Sequence, residues 1–213
     1  MSDASQSGVT GTDGGVVARA DGADARGDLL LDSLQRRMHA LFSLYYDAVD
    51  TMDLDQVNHF EREGVLPIAF SLFHLANMED ASFLLMTGTA PIWDDGWEAR
   101  VRPAIADHGK NRTVAEMVHQ RIGDYREFEA YMRAVFTRTE EWLDGLDPEE
   151  LLRVVISRPF PPEIASTYSA RVAGDDGVTL LDAAECWIYQ HGLRHMGEIE
   201  LARGLVGLGG MTS

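Results

Sequence analysis

The chain has one cysteine, Cys186, and one lysine, Lys110, among its 213 residues. A lone thiol cannot close an internal disulfide, so the fold has to hold without covalent staples, and such sparing cysteine use fits a reducing compartment. No stretch approaches the roughly 18 consecutive apolar residues of a membrane-crossing helix. The N-terminus also lacks the basic-then-apolar form of a secretory signal. A cytoplasmic protein is therefore expected. Positive charge is scarce as well: 18 basic residues face 35 acidic ones, for a net charge of −17. With no basic patch to offset that balance, phosphate backbones and anionic lipid surfaces repel the chain, and neither nucleic acid nor membrane is an expected partner. All the basic residues except Lys110 are Arg, and Ala, Gly and Asp are abundant, a skew that suggests a GC-rich genome.

What is present sorts into a tail and one domain. Residues 1–27 are rich in Gly, Ser, Asp and Ala. They offer too little apolar surface to offset their ordering entropy, so a disordered tail is expected, followed by a single domain over 28–213. In that domain Leu34, Met38, Leu41, Phe42, Tyr45 and Val49 recur at helical spacing and predict a first helix over about Asp32–Met52. Asp53 and Gln56 cap a short turn carrying His59. Pro67 then opens a second long helix to about Met86, apolar nearly all round and so expected at the centre of the fold. Residues 87–112, punctuated by Gly88, Pro91, Gly96, Pro103 and Gly109, read as a long connection. Its Trp93 and Trp97 either wall a pocket or pin the loop to the helices. The capping box Thr113-Val-Ala-Glu116 predicts a third helix reaching Leu143, and Asp147-Pro-Glu-Glu150 a short helix to about Val155. A proline-rich crossover over 158–177 precedes a last helix, Leu180–Leu205, opened by the box Thr179-Leu-Leu-Asp182. Four long helices with long crossover connections make an all-α four-helix bundle.

On the last helix, His191 and His195 are four apart, and Ala184, Ile188, His191, His195, Glu198 and Ala202 form one stripe at bundle-seam spacing. Chance gives such a His pair only roughly 0.2 times in a chain with this many histidines, so the pair carries information. A buried imidazole needs its nitrogens satisfied, which a divalent metal does, though hydrogen-bonded core histidines would read the same way. His74, isolated on the apolar second helix, reads by itself as a satisfied core residue. His39, His59, His108 and His119 have no place on the stripe and are expected to take no part in a site.

Several of these features together resemble the DinB-like superfamily of metal-binding four-helix bundles. They are Phe73-His-Leu-Ala-Asn-Met-Glu79 in the second helix, Trp93-Asp-Asp-Gly-Trp97 followed by Arg100, the turn Leu143-Asp-Gly-Leu-Asp-Pro-Glu-Glu-Leu151, and His191-Gly-Leu-Arg-His-Met-Gly-Glu198 ending in Leu201-Ala-Arg-Gly-Leu205. The resemblance spans about Leu29 to Leu208. It implies the bundle topology of that family and a metal site of His74, His191 and His195 for Zn²⁺, Ni²⁺ or Fe²⁺. Glu198 would be an orienter, a general base or a fourth ligand. Family members with an intact site include thiol-dependent enzymes, so the resemblance implies transfer of a low-molecular-weight thiol such as mycothiol or bacillithiol to a small electrophile. The GC-rich composition favours mycothiol. A three-His non-haem iron enzyme of thiol and oxygen chemistry and a non-enzymatic metal-binding stress protein are the alternatives. A homodimer is compatible with either. The pocket is expected between the first helix, the Trp93 and Trp97 loop and the last helix, with the two indoles binding substrate.

Overall fold

The structure is a computed structural model that describes residues 17–211; residues 1–16 of the expected tail lie outside them. Helix α1 runs Val17–Asp50 and therefore continues back through positions 17–27, which composition alone places in the tail. Burial of Leu31 and Leu34 anchors the helix. Once anchored, a segment with several alanines and arginines extends it at one hydrogen bond per residue. The buried stripe Leu34, Met38, Leu41, Phe42, Tyr45 and Val49 is the one the spacing predicts.

The short α2, Leu54–Val57, is closed by a reciprocal capping box between Asp53 and Gln56. In α3, Ile68–Thr87, Pro67 occupies the N-cap and Gly88, at φ 77°, ends the helix. The expected long connection after α3 contains a further helix, α4 at Asp95–Val101, capped by Asp94. The expected third helix is broken in two, α5 at Val114–Met117 and α6 at Tyr125–Asp144. Side-chain amides make the break. Gln120 bonds both the N–H and the carbonyl of Ile105, and Asn58 does the same for Ile122. The Ile122 backbone, which would have continued the helix, is thereby committed to Asn58 instead of to the helical ladder. At Gly123 a Cβ would lie 2.6 Å from the Arg102 carbonyl oxygen, so only glycine fits.

After a 3₁₀ turn at Pro148–Leu152, strand β1, Val154–Ser157, replaces the end of the expected short helix. The crossover then forms α7, Pro162–Ala165, and α8, Tyr168–Val172, before strand β2, Gly177–Thr179, pairs antiparallel with β1. Three β-branched or strand-tolerant residues in a row favour the extended form. Gly177, at φ 142°, lets the strands approach where a Cβ would strike the Ile156 carbonyl. The last helical rod is not uniform: α9, Leu180–Ala183, passes through a π turn at Ala184–Tyr189 into α10, Gln190–Leu205.

The four long helices pack as a bundle in which α3 lies against α6 and α10, and α1 closes against both of those. Stacked Phe42 and Phe136, 4.2 Å between centroids, mark the α1–α6 seam. The fold is the expected all-α bundle with long crossovers, carrying one small two-stranded sheet. Among the described residues no helix is long and apolar enough to cross a membrane.

Candidate metal centre

Two elements bring the three histidines together. His74 sits midway along α3, and His191 and His195 lie one turn apart on α10, which packs on α3. The close approach depends on Gly192, between the two α10 histidines: a Cβ there would come within 2.5 Å of Leu41, and its carbonyl accepts the Tyr45 hydroxyl at 2.8 Å. One ring nitrogen from each histidine lies within 4.8 Å of the other two. Ring centroids are 4.5 Å apart for His191 and His195, and 4.9 and 5.2 Å from His74 to His195 and His191.

The surroundings decide which nitrogens carry protons. His74 Nδ1 meets the backbone carbonyl of His108, an obligate acceptor, so Nδ1 is protonated and Nε2 keeps its lone pair. His195 Nδ1 donates to Glu198 Oε2 at 2.7 Å, leaving its Nε2 as a lone pair 3.0 Å from His191 Nε2. Glu198 Oε2 also accepts from the Ser71 hydroxyl at 3.1 Å. The His195 hydrogen bond holds the Glu198 carboxyl below its usual range, so it stands ionised. The proton in the 3.0 Å contact with His195 is then carried by His191 Nε2, and the buried His191 Nδ1 meets no partner. Burial pushes the imidazolium of His74 down to about 4 and that of His191 to about 2, the latter also disfavoured by its histidine neighbours. The His74 and His191 rings are therefore neutral at any physiological pH.

This donor set fits a divalent cation. With bonds of about 2.1 Å in near-tetrahedral array, ligand nitrogens stand about 3.4 Å apart, inside the spread seen here. A ligating histidine whose other nitrogen donates to a carbonyl or carboxylate is the arrangement that fixes ring orientation and strengthens the donor. A cavity of about 560 Å³ opens onto the three rings, a size that suits a small organic molecule.

The remaining expectations fare differently. Trp93 and Trp97 do not line this cavity. They pack on Tyr131 of α6 at 4.8 and 5.5 Å, and Trp93 on Phe73 at 5.1 Å. Buried Asp80 holds that loop down by accepting the Ile92 and Trp93 backbone N–H groups at 2.9 and 2.8 Å. Of the two readings open for the indoles, the geometry is that of pinning. The indole at the cavity is Trp187, with Cys186 beside it, both brought there by the π turn. His39, His59 and His119 lie away from the cluster. The His108 ring stays out of it too, but its carbonyl orients His74. Lys110 and Arg194, also at the cavity, escaped the sequence reading. Being the only lysine in the chain was the one available signal for the first.

Fold and site together define a four-helix bundle with a three-histidine centre at the base of an open cavity. The sequence profile of the DinB superfamily matches residues 37–199, and the chain belongs to that superfamily. A conserved protein of Enterococcus faecalis with a known crystal structure shares the fold: TM-score 0.53 at 16% identity, over 84% of this chain and 96% of that one. No curated protein matches the sequence.

Proposed function

We propose that the protein is a metal-dependent enzyme that transfers a low-molecular-weight thiol, mycothiol in type, to a small electrophile. The observation that carries this reading is the trio of imidazoles converging at the base of a cavity, two of them with Nδ1 engaged so that Nε2 faces the centre. His74, His191 and His195 would hold a divalent cation, whether Zn²⁺, Ni²⁺ or Fe²⁺, which when bound would keep its full charge among neutral ligands and so would lower the pKa of a small thiol. The chain's own residues support such a role. His108 and Glu198 fix two of the ligand rings. Among the described residues Glu198 is the one carboxylate lining the cavity, so it is the group placed to accept the thiol proton. Burial pushes the Cys186 thiol up to about 11, which keeps it protonated. The nucleophilic sulfur therefore has to arrive from outside. Trp187 and Met78 offer an apolar wall for the electrophile.

The test begins with metal analysis of untagged protein. Zinc-loaded protein is then mixed with mycothiol, bacillithiol or glutathione and monochlorobimane. Conjugate should form faster than the uncatalysed background, stop on chelation and in His195→Ala, and slow in Glu198→Gln with metal content retained. If no thiol reacts faster and the Co²⁺-loaded protein shows no thiolate charge-transfer band, thiol transfer is wrong. Iron in the freshly purified protein with thiol-dependent oxygen uptake would then favour the three-His iron enzyme.

A further inference from the structure

The cavity carries charge of the sign this chain has least of. Glu198, its one lining carboxylate among the described residues, is already engaged by His195 and Ser71. Two cations also line it, Lys110 and Arg194. Neither enters an ion pair or a side-chain hydrogen bond among the described residues, whereas nine arginines elsewhere each face a carboxylate.

Their placement is tied to that of the ligands. Arg194 precedes His195 on α10. Lys110 lies on the 107–112 loop, where Gly109 N–H donates to Asp107, Lys110 N–H to the His108 ring and Arg112 to Asp107. The loop that delivers the His108 carbonyl to His74 therefore also sets Lys110 at the cavity. Two like charges facing one cavity repel each other, and an anion between them removes that repulsion and gains two charge-assisted contacts. Much of the rest of the wall is apolar, with Trp187, Met78, Leu85 and Met117, interrupted by the neutral hydroxyls of Ser82, Thr167 and Ser169.

We propose that Lys110 and Arg194 form an anion subsite in the metal cavity, which takes the carboxylate of a substrate whose flat or apolar body lies on Trp187. This rests on the reading of the cavity as the substrate site. The thiol-transfer reading assigns that substrate no charge; the subsite makes it an organic acid, with the carboxylate held away from the electrophilic carbon. An arginine supplies planar, two-pronged recognition and a lysine a point charge, a combination suited to a single carboxylate.

The probes are 2-naphthoate and 2-naphthamide, which share size and apolar surface and differ in charge. Their binding to the full-length protein is measured calorimetrically with zinc present and after chelation. Naphthoate should bind about tenfold tighter than naphthamide in both states, the equivalent of one or two modest charge contacts. Lys110→Met and Arg194→Met should each reduce that preference about threefold while leaving naphthamide affinity and zinc content unchanged. Equal binding of the two probes, or a preference that stays undiminished in both variants, overturns the subsite. So does a preference seen only with zinc, which would mean that the carboxylate ligates the metal. A naphthoate preference without thiol transfer overturns the proposed reaction alone. Thiol transfer without the preference overturns the subsite alone.

Discussion

Glu79 and Asp80 are neighbours on α3, both fully buried, and the protein treats them differently. Asp80 accepts the backbone N–H groups of Ile92 and Trp93 and the Tyr131 hydroxyl, and pairs with Arg138 at 2.7 Å. Glu79 meets only the Thr139 hydroxyl, and its Oε2 has no partner. Burial accordingly pushes its carboxyl up to about 8. The Thr139 hydroxyl also reaches the Val135 carbonyl and has a single proton to give. The set is satisfied when Glu79 is protonated, donating to Thr139, which donates onward to Val135. A folded pKa raised above the unfolded value near 4.5 means stability is fully present below 4.5 and is lost as pH rises toward 8. His74 and His191 run the opposite way. Their depressed values give a contribution that is complete above about 6.5 and lost as pH falls through the folded values. The window from 6.5 to 8 thus isolates Glu79. Urea unfolding of the metal-free protein should lose about 1 kcal/mol per pH unit there, and Glu79→Gln should remove the slope. Parallel pH profiles for the two proteins would show that Glu79 is not the titrating group.

At the scale of elements, the 107–112 loop governs how firmly α3 presents its ligand. Gly109 has φ 75°, and a Cβ there would come within 2.8 Å of Phe70, which stacks on His74 at 5.2 Å. Gly64 has φ 82° with nothing within 4 Å of a Cβ. Gly64→Ala should therefore cost about 1 kcal/mol of backbone strain and leave zinc affinity alone. Gly109→Ala should cost at least as much and also weaken zinc binding about tenfold in a competing-chelator titration, because displaced Phe70 turns His74 and moves the His108 carbonyl. Equal zinc affinity in the two variants would show that the loop does not orient the ligand. None of this was legible in the sequence, for a physical reason. Apolar periodicity and capping boxes report local preference, so the four long helices and the His191–His195 pair could be read directly. The break before α6 rests on Gln120 reaching Ile105 and Asn58 reaching Ile122, contacts between distant stretches that leave no period. The π turn that brings Trp187 to the cavity has no mark in the residues that form it. His74 stands on a helix apolar all round, where no stripe singles out one face, so only the family resemblance identified it as a ligand.

At the scale of the whole molecule, a net charge of −17 acts against itself. Many of the ion pairs that offset it are exposed, such as Arg36–Asp32, with side chains 67% and 59% accessible. Pairs of that kind are each worth about 0–1 kcal/mol. Self-repulsion should dominate, so the melting temperature should rise with NaCl from about 10 mM to about 500 mM. Anion binding at the cavity should follow a different course. At 10 mM salt the Debye length is about 30 Å, and an approaching carboxylate feels the whole acidic surface. Near 150 mM it is about 8 Å, and only Lys110 and Arg194 act strongly on an anion in the cavity. At about 1 M it falls to about 3 Å, and their attraction is screened as well. Naphthoate affinity should therefore pass through a maximum near physiological ionic strength, while that of neutral naphthamide should show no maximum. In the double variant Lys110→Met with Arg194→Met, the rise from low salt should remain and the fall at high salt should disappear. A monotonic fall in the unmodified protein would mean that the overall charge does not reach the cavity. A rise that never turns over would mean that the two cations do not act on the anion at all.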